Sequence, residues 1–427
     1  MPYLWGMNPT VQDNAQRLLS AALTSDFGYQ RLGYLCDRIG NRLSGSSGLE
    51  KAVAWAESEM RHDGLEGVRA EPVLVPKWVR GRESATLISP EKRALVMLGL
   101  GGSVGGRVKA PVLVVESFEE LAARAGEAKG KIVCFNVPFT SYGATVRYRG
   151  AGASEAAKLG AVAVLVRSVG PTSLRTPHTG AMNYAAGIAK IPAAAITIED
   201  ATQLARMQAR GEKPIVELTM QAHFEKDALS ANVIGEWRGR EKPGEIVLVG
   251  GHLDSWDVGQ GANDDGGGCI ASWEAVRLLK QLNLRPRRTV RVCLFTNEEN
   301  GSRGGQAYAE VHKSEKHVLA IETDGGVDTP TGFGLSTKTP GGLERAREIT
   351  KLLELELKEG GGGADVGPIG TATGCPTMGL LNDMSLYWNI HHTPADTFDK
   401  ISPKALQKCI AAMAVMAYSV AELDGQI

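Results

Sequence analysis

Residues 245–284 read EIVLVGGHLDSWDVGQGANDDGGGCIASWEAVRLLKQLNL. The opening EIVLVGG is a short continuous apolar run closed by glycines, the pattern of a strand buried on both faces. The closing CIASWEAVRLLKQLNL is long and apolar enough to be a helix packed on that strand. Between them lie one histidine, four aspartates and a crowd of glycines. Strand, polar loop and helix in that order form the repeating unit of a parallel sheet, and the rest of the C-terminal half repeats it. TVRVCLFTN (289–297), HVLAIETD (317–324) and CPTMGLL (375–381) read as further strands, with helices around GGQAYAEVHK and GLERAREITKLLELEL and at the C-terminus. The expected fold class is therefore α/β, a mainly parallel mixed sheet with helices on both faces.

Outward from that core, residues 13–64 read as helical, with Val53, Ala56 and Met60 on one face, and VRAEPVLVP (68–76) as a strand. From 110 to 211 strands such as APVLVVES, KIVCFNVP, AVAVLVRSV and IPAAAITI alternate with short helices and carry no acidic or histidine cluster. That stretch predicts a compact α/β module inserted in the larger domain, shaping access rather than chemistry. The expected division is 1–95 for the N-terminal part of the catalytic domain, 96–212 for the insertion and 213–427 for the catalytic remainder. Gly99 and Gly101 begin a dinucleotide fingerprint, but Val104 stands where its third glycine belongs.

Length and charge narrow the partners. A chain of 427 residues exceeds the usual single-core limit. Its 47 basic and 48 acidic side chains leave no net field to recruit nucleic acid or an anionic membrane, so a small molecule or short peptide is the expected partner. Six cysteines are scattered, several inside apolar runs (Cys134, Cys269, Cys293), which reads as reduced core residues. The N-terminus lacks a basic head and apolar stretch, and no window is apolar for long enough to span a bilayer. The expectation is a soluble chain, cytoplasmic or exported with its signal already removed.

Ligands of such sheets collect beyond the carboxyl ends of the strands. There the sequence delivers His252 and Asp254, then Asp264; Asn297, Glu298 and Glu299; Asp324; and, in the last loop, His391 and His392. Singly, each is more often a solvated or hydrogen-bonded loop residue. Together they exclude some chemistry: an EF-hand calcium loop lacks its spacing and closing glutamate, and a phosphate loop lacks its GxxxxGK[ST]. Imidazole with carboxylates favours zinc or a neighbouring metal. Two histidines and at least three acids exceed one tetrahedral zinc and suit two ions sharing a carboxylate.

Four separated motifs, GGHLDSWDVGQGANDDGGG (250–268), FTNEENGSRGG (295–305), IETDGG (321–326) and HHTPADTFD (391–399), occur in the order found in a known family. The chain resembles the co-catalytic two-zinc exopeptidases, which include leucyl-type aminopeptidases and glutamate carboxypeptidases, over nearly its whole length. The middle module, with RSV (167–169) and PHTG (177–180), resembles a protease-associated domain. The resemblance implies two zinc ions per chain: His252 and Asp324 on one, Glu299 and His392 on the other, Asp264 bridging. It further implies Glu298 as general base and Asp254 as the carboxylate that fixes the His252 tautomer. His391, Tyr387, Asn382 and Asp365 are weaker candidates for the substrate pocket; GADVGP departs from the family's Ser-Asp-His by placing valine after Asp365. The implied activity is cleavage of dipeptides or short peptides with a free N-terminus, by a homodimer. A carboxypeptidase or amidohydrolase on the same scaffold, and a metal-free receptor, are the rival readings.

Overall fold

A computed structural model describes residues 9–427. The chain divides into two compact units: one formed by residues up to 75 with 228–387 and 396–427, the other by 76–227 with 388–395.

The first unit is built on an eight-stranded sheet in the order Glu66–Val75, Ala228–Trp237, Arg288–Phe295, Lys242–His252, Lys316–Glu322, Thr377–Asn382, Pro330–Ser336 and Glu356–Glu359. The four strands Arg288–Phe295, Lys242–His252, Lys316–Glu322 and Thr377–Asn382 run parallel to one another, and antiparallel neighbours flank them on both sides. Every residue of Arg288–Phe295 is buried, as a central strand covered on two faces requires. Alternation sorts its neighbours: Val247, Val249, Leu319 and Ile321 join the cluster with helices Gly267–Gln281 and Pro403–Glu422. Ile246, Leu248 and Ala320 point the other way, toward Tyr308 on Arg303–His312 and Ile369 on Gly367–Thr373. Helix Ser47–His62 starts where the Ser46 hydroxyl accepts the Leu49 N–H at 3.2 Å. Its apolar face buries Leu49, Val53, Ala56 and Met60.

The second unit has its own eight-stranded sheet, with Gly106–Val115, Ile132–Phe135, Ala163–Arg167 and Ala193–Ile196 parallel at its centre. Its boundaries differ from the expected 96–212. Glu83–Ser89 pairs antiparallel with Ile215–Met220, which pairs in turn with Gly106–Val115. Residues 76–95 and 213–227 therefore belong to this unit and not to the first, as do 388–395; within it Trp78–Val79 and His223–Phe224 pair as a separate two-stranded sheet. Among the described residues no helix is long and apolar enough to cross a membrane.

Candidate metal centre

His252 is the last residue of its strand, level with Phe295 on one parallel neighbour, while Gly250 is level with Glu322 on the other. Two of these adjacent strands thus end level and the third two residues earlier, and the loops after them carry Asp254, Glu298 with Glu299, and Asp324. Nε2 of His252 lies 3.2 Å from Oδ1 of Asp264 and 3.3 Å from Oδ1 of Asp324. The ligand atoms of His252, Asp264 and Glu299 all fall within 4.8 Å of one another. A tetrahedral zinc with bonds near 2.0 Å separates its donor atoms by roughly 3.3 Å. The donor types and the observed spacings therefore fit a divalent transition metal.

Electrostatics point the same way. Burial, with Asp324 and Glu299 close by, pushes Glu298 well above the ordinary carboxyl range, although His252 opposes this. Burial alone would lower His252, yet the carboxylates of Asp264 and Asp324 hold it well above its usual value. Mutually repelling buried acids around one imidazole form a site that a cation relieves.

The loop geometry changes one expected role. Nδ1 of His252 lies 2.9 Å from the main-chain oxygen of Asp254 and 3.8 Å from its carboxylate. The carbonyl therefore fixes the tautomer, leaving Nε2 for a metal. The Asp254 carboxylate serves the next loop instead: Oδ1 accepts the Glu298 N–H at 3.0 Å and Oδ2 the Glu299 N–H at 3.3 Å. Asn297, at φ 64, turns the chain there, and its side-chain amide donates to Ser44 Oγ at 2.9 Å.

Asp265 escaped the sequence reading. It is fully buried, and its carboxylate accepts the His252 N–H at 3.1 Å and the Gly268 N–H at 3.2 Å. A Cβ on Gly251 or Gly268 would come within about 2.2 Å of that carboxylate, so glycine is required at both. The only sequence signal was its place beside Asp264, with which it shares a cis peptide bond.

The weaker candidates separate. Asp365 is 0% exposed and both of its carboxylate oxygens lack a hydrogen-bond partner. Burial first, then Glu322, pushes it well above its usual pKa. Asn382 is committed to structure, donating to Gly326 O at 2.7 Å and accepting from Cys409 Sγ at 3.5 Å. Tyr387 is buried at the end of the first unit's second segment.

His391 and His392 lie on 388–395 and are described with the second unit. Their rings stack at 3.5 Å, and His391 meets the rings of Tyr142 and Trp388 edge-on. Nδ1 of His392 is 3.3 Å from Thr179 O and 3.4 Å from Arg149 Nη1. Arg149 is a buried guanidinium that donates to Ala181 O, Thr179 O and Tyr142 Oη, and it pairs with no acid among the described residues. Burial, then His392, pushes the neighbouring His178 down to about 3. Arg149 is thus a buried cation among ring and carbonyl groups, beside an imidazole that burial keeps neutral. Sequence reasoning missed Arg149, because an arginine in a helix reads as solvated.

The model of peptidase family M28 matches residues 232–417. The chain is 44% identical to carboxypeptidase Q of Homo sapiens over 93% of this chain and 85% of that one. It is 46% identical to carboxypeptidase Q of Xenopus laevis over 97% and 91% respectively. Among solved structures it is similar to a peptidase M28 precursor from Shewanella amazonensis, with a TM-score of 0.94, 35% identity and 98% of each chain covered. A zinc aminopeptidase from Bacillus subtilis shares the fold at a TM-score of 0.69 and 23% identity, covering 94% of this chain and 98% of that one.

Proposed function

The chain belongs to peptidase family M28 and is a zinc metallopeptidase, and from that premise we propose that it is a two-zinc exopeptidase acting on dipeptides and short peptides. The observation that carries the reading is the convergence of His252, Asp264 and Glu299 on one point, with Asp324 3.3 Å from the same imidazole nitrogen. In this proposal His252 and Asp324 hold one ion, Glu299 and His392 the other, and Asp264 is shared. When bound, the zinc pair supplies the Lewis acidity that polarises the scissile carbonyl and acidifies the attacking water. Glu298 takes the proton of that water and returns it to the leaving amine. Glu299 cannot share this task, since a carboxylate held by a metal is not free to accept a proton.

Substrate polarity follows from charge. A free α-amine would sit against the acidic side of the site, which favours an unblocked N-terminus. Arg149 supports a second requirement. A buried guanidinium without an acid partner is costly, and a peptide's terminal carboxylate is the counter-charge that suits its geometry. Dipeptides in free, N-acetylated and C-amidated form test this, and kcat/KM is expected to fall for both blocked forms. Undiminished turnover of the amidated form removes the carboxyl-end reading, and undiminished turnover of the acetylated form removes the amino-end reading. A chain that binds zinc but cleaves only non-peptide amides would be an amidohydrolase, and one that binds no stoichiometric zinc would be a receptor-like homologue. We propose a homodimer as well, which sedimentation at micromolar concentration tests.

A further inference from the structure

The loop 253–261 separates His252 from Asp264 and belongs to no strand or helix. Its backbone polar groups must find partners elsewhere. They find two buried charges. Arg42, 0% exposed, donates Nε to Leu253 O at 2.7 Å, Nη1 to Gln260 O at 2.7 Å and Nη2 to Gly261 O at 2.8 Å. Its own backbone exchanges hydrogen bonds with Ser255, whose Oγ accepts the Arg42 N–H at 3.0 Å and whose N–H donates to Arg42 O at 3.2 Å. Asp396 takes the opposite polarity. Its Oδ1 accepts the Asn263 N–H at 2.7 Å, its Oδ2 the Asp264 N–H at 3.1 Å, and its main-chain oxygen the Gln260 N–H at 2.7 Å. Neither residue makes an ion pair with an oppositely charged side chain among the described residues: the guanidinium is spent on carbonyls of the loop and on Gly40 O at 2.8 Å, and the carboxylate on the two N–H groups just after the loop.

We infer that Arg42 and Asp396 form a two-sided clamp, cation on the carbonyls and anion on the N–H groups, that sets the 3.2 Å approach of Asp264 to His252 and so positions the metal ligands. Neither residue touches metal or substrate; both are positioning residues acting through the backbone. Charge suits the task, because charge-assisted hydrogen bonds are shorter and stronger than neutral ones and hold a loop that glycine leaves conformationally free. This inference rests on the zinc reading of the site above.

The test uses the full chain, freed of metal and titrated with zinc against a chromophoric chelator, for the wild type, Asp396→Asn and Arg42→Lys. Metal-free melting temperature and circular dichroism are measured alongside. Asparagine keeps one acceptor but turns an amine toward the second N–H; lysine keeps the charge but cannot reach three carbonyls in a plane. Each variant is expected to fold, to melt within a few degrees of wild type without metal, and to bind zinc roughly 10- to 100-fold more weakly. Zinc affinity within threefold of wild type in a folded variant overturns the role of the residue changed. If neither variant folds, the pair is a folding element and the positioning role is overturned. A wild type that takes up no zinc brings down the metal reading itself, whereas zinc uptake by the wild type that the variants share in full brings down only the clamp.

Discussion

Replacing Asp254 with asparagine separates two roles for a residue that is 0% exposed. The aspartate offers two acceptor oxygens to the Glu298 and Glu299 N–H groups, at 3.0 and 3.3 Å. Asparagine keeps one, so one backbone N–H faces an amine and is left buried and unsatisfied, at a cost of about 1–3 kcal/mol. Loss of the charge weakens the surviving bond by about 1 kcal/mol. Taken together, about 2–4 kcal/mol of the turn's placement is lost, a factor of roughly 30 to 1000 in rate if all of it falls on the position of the base. The loss should appear in kcat and not in KM, because Glu298 moves the proton and does not bind substrate. His252 should keep its zinc, since its Nδ1 partner is the Asp254 main-chain oxygen, which the substitution leaves in place. The assay is steady-state dipeptide hydrolysis with zinc counted per chain. A kcat within threefold of wild type refutes the reasoning. So does loss of zinc with unchanged turnover per bound metal, which would show that the carboxylate serves the imidazole after all.

Glu298→Gln should keep its zinc and lose on the order of a hundred- to ten-thousand-fold in kcat, whereas Glu299→Gln should lower zinc content; activity of Glu298→Gln within a few-fold of wild type would assign the base elsewhere. Arg149→Met should raise KM for free dipeptides by roughly 10- to 100-fold, from about 1.5–3 kcal/mol for hydrogen bonds to a charged group. A C-amidated dipeptide should be nearly indifferent to that change, and an equal loss on both substrates would remove the carboxylate contact. His317 is pushed down to about 4 by burial first and Arg291 second, from an ordinary 6.5. The folded state therefore binds fewer protons than the unfolded one, so this contribution is complete above pH 6.5 and is lost as pH falls toward 4, by about 3 kcal/mol. His317→Gln should flatten the fall in urea midpoint between pH 7.5 and 4.5; parallel slopes for variant and wild type would contradict it.

The sheet and its reactive rim were legible along the chain. Each parallel strand announces itself as a short apolar run, and the polar residue after it has one place to go, the carboxyl edge of the sheet. That local rule reached His252, Asp264, Glu298, Glu299 and Asp324 without coordinates. It could not reach the true extent of the second unit, because the pairing of Glu83–Ser89 with Ile215–Met220 joins strands more than a hundred residues apart and leaves no mark on either. Nor could it say that Asp254 serves His252 through its carbonyl, since main chain and carboxylate differ by about an ångström in reach. Asp365 reads as a loop acid in GADVGP and is sealed from solvent. Arg42 and Asp396, 354 positions apart, meet the same loop only when the chain is folded. Spacing along a chain records which side chains a strand end presents; which oxygen, at which distance and beside which buried charge, is set by long-range packing that local sequence does not encode.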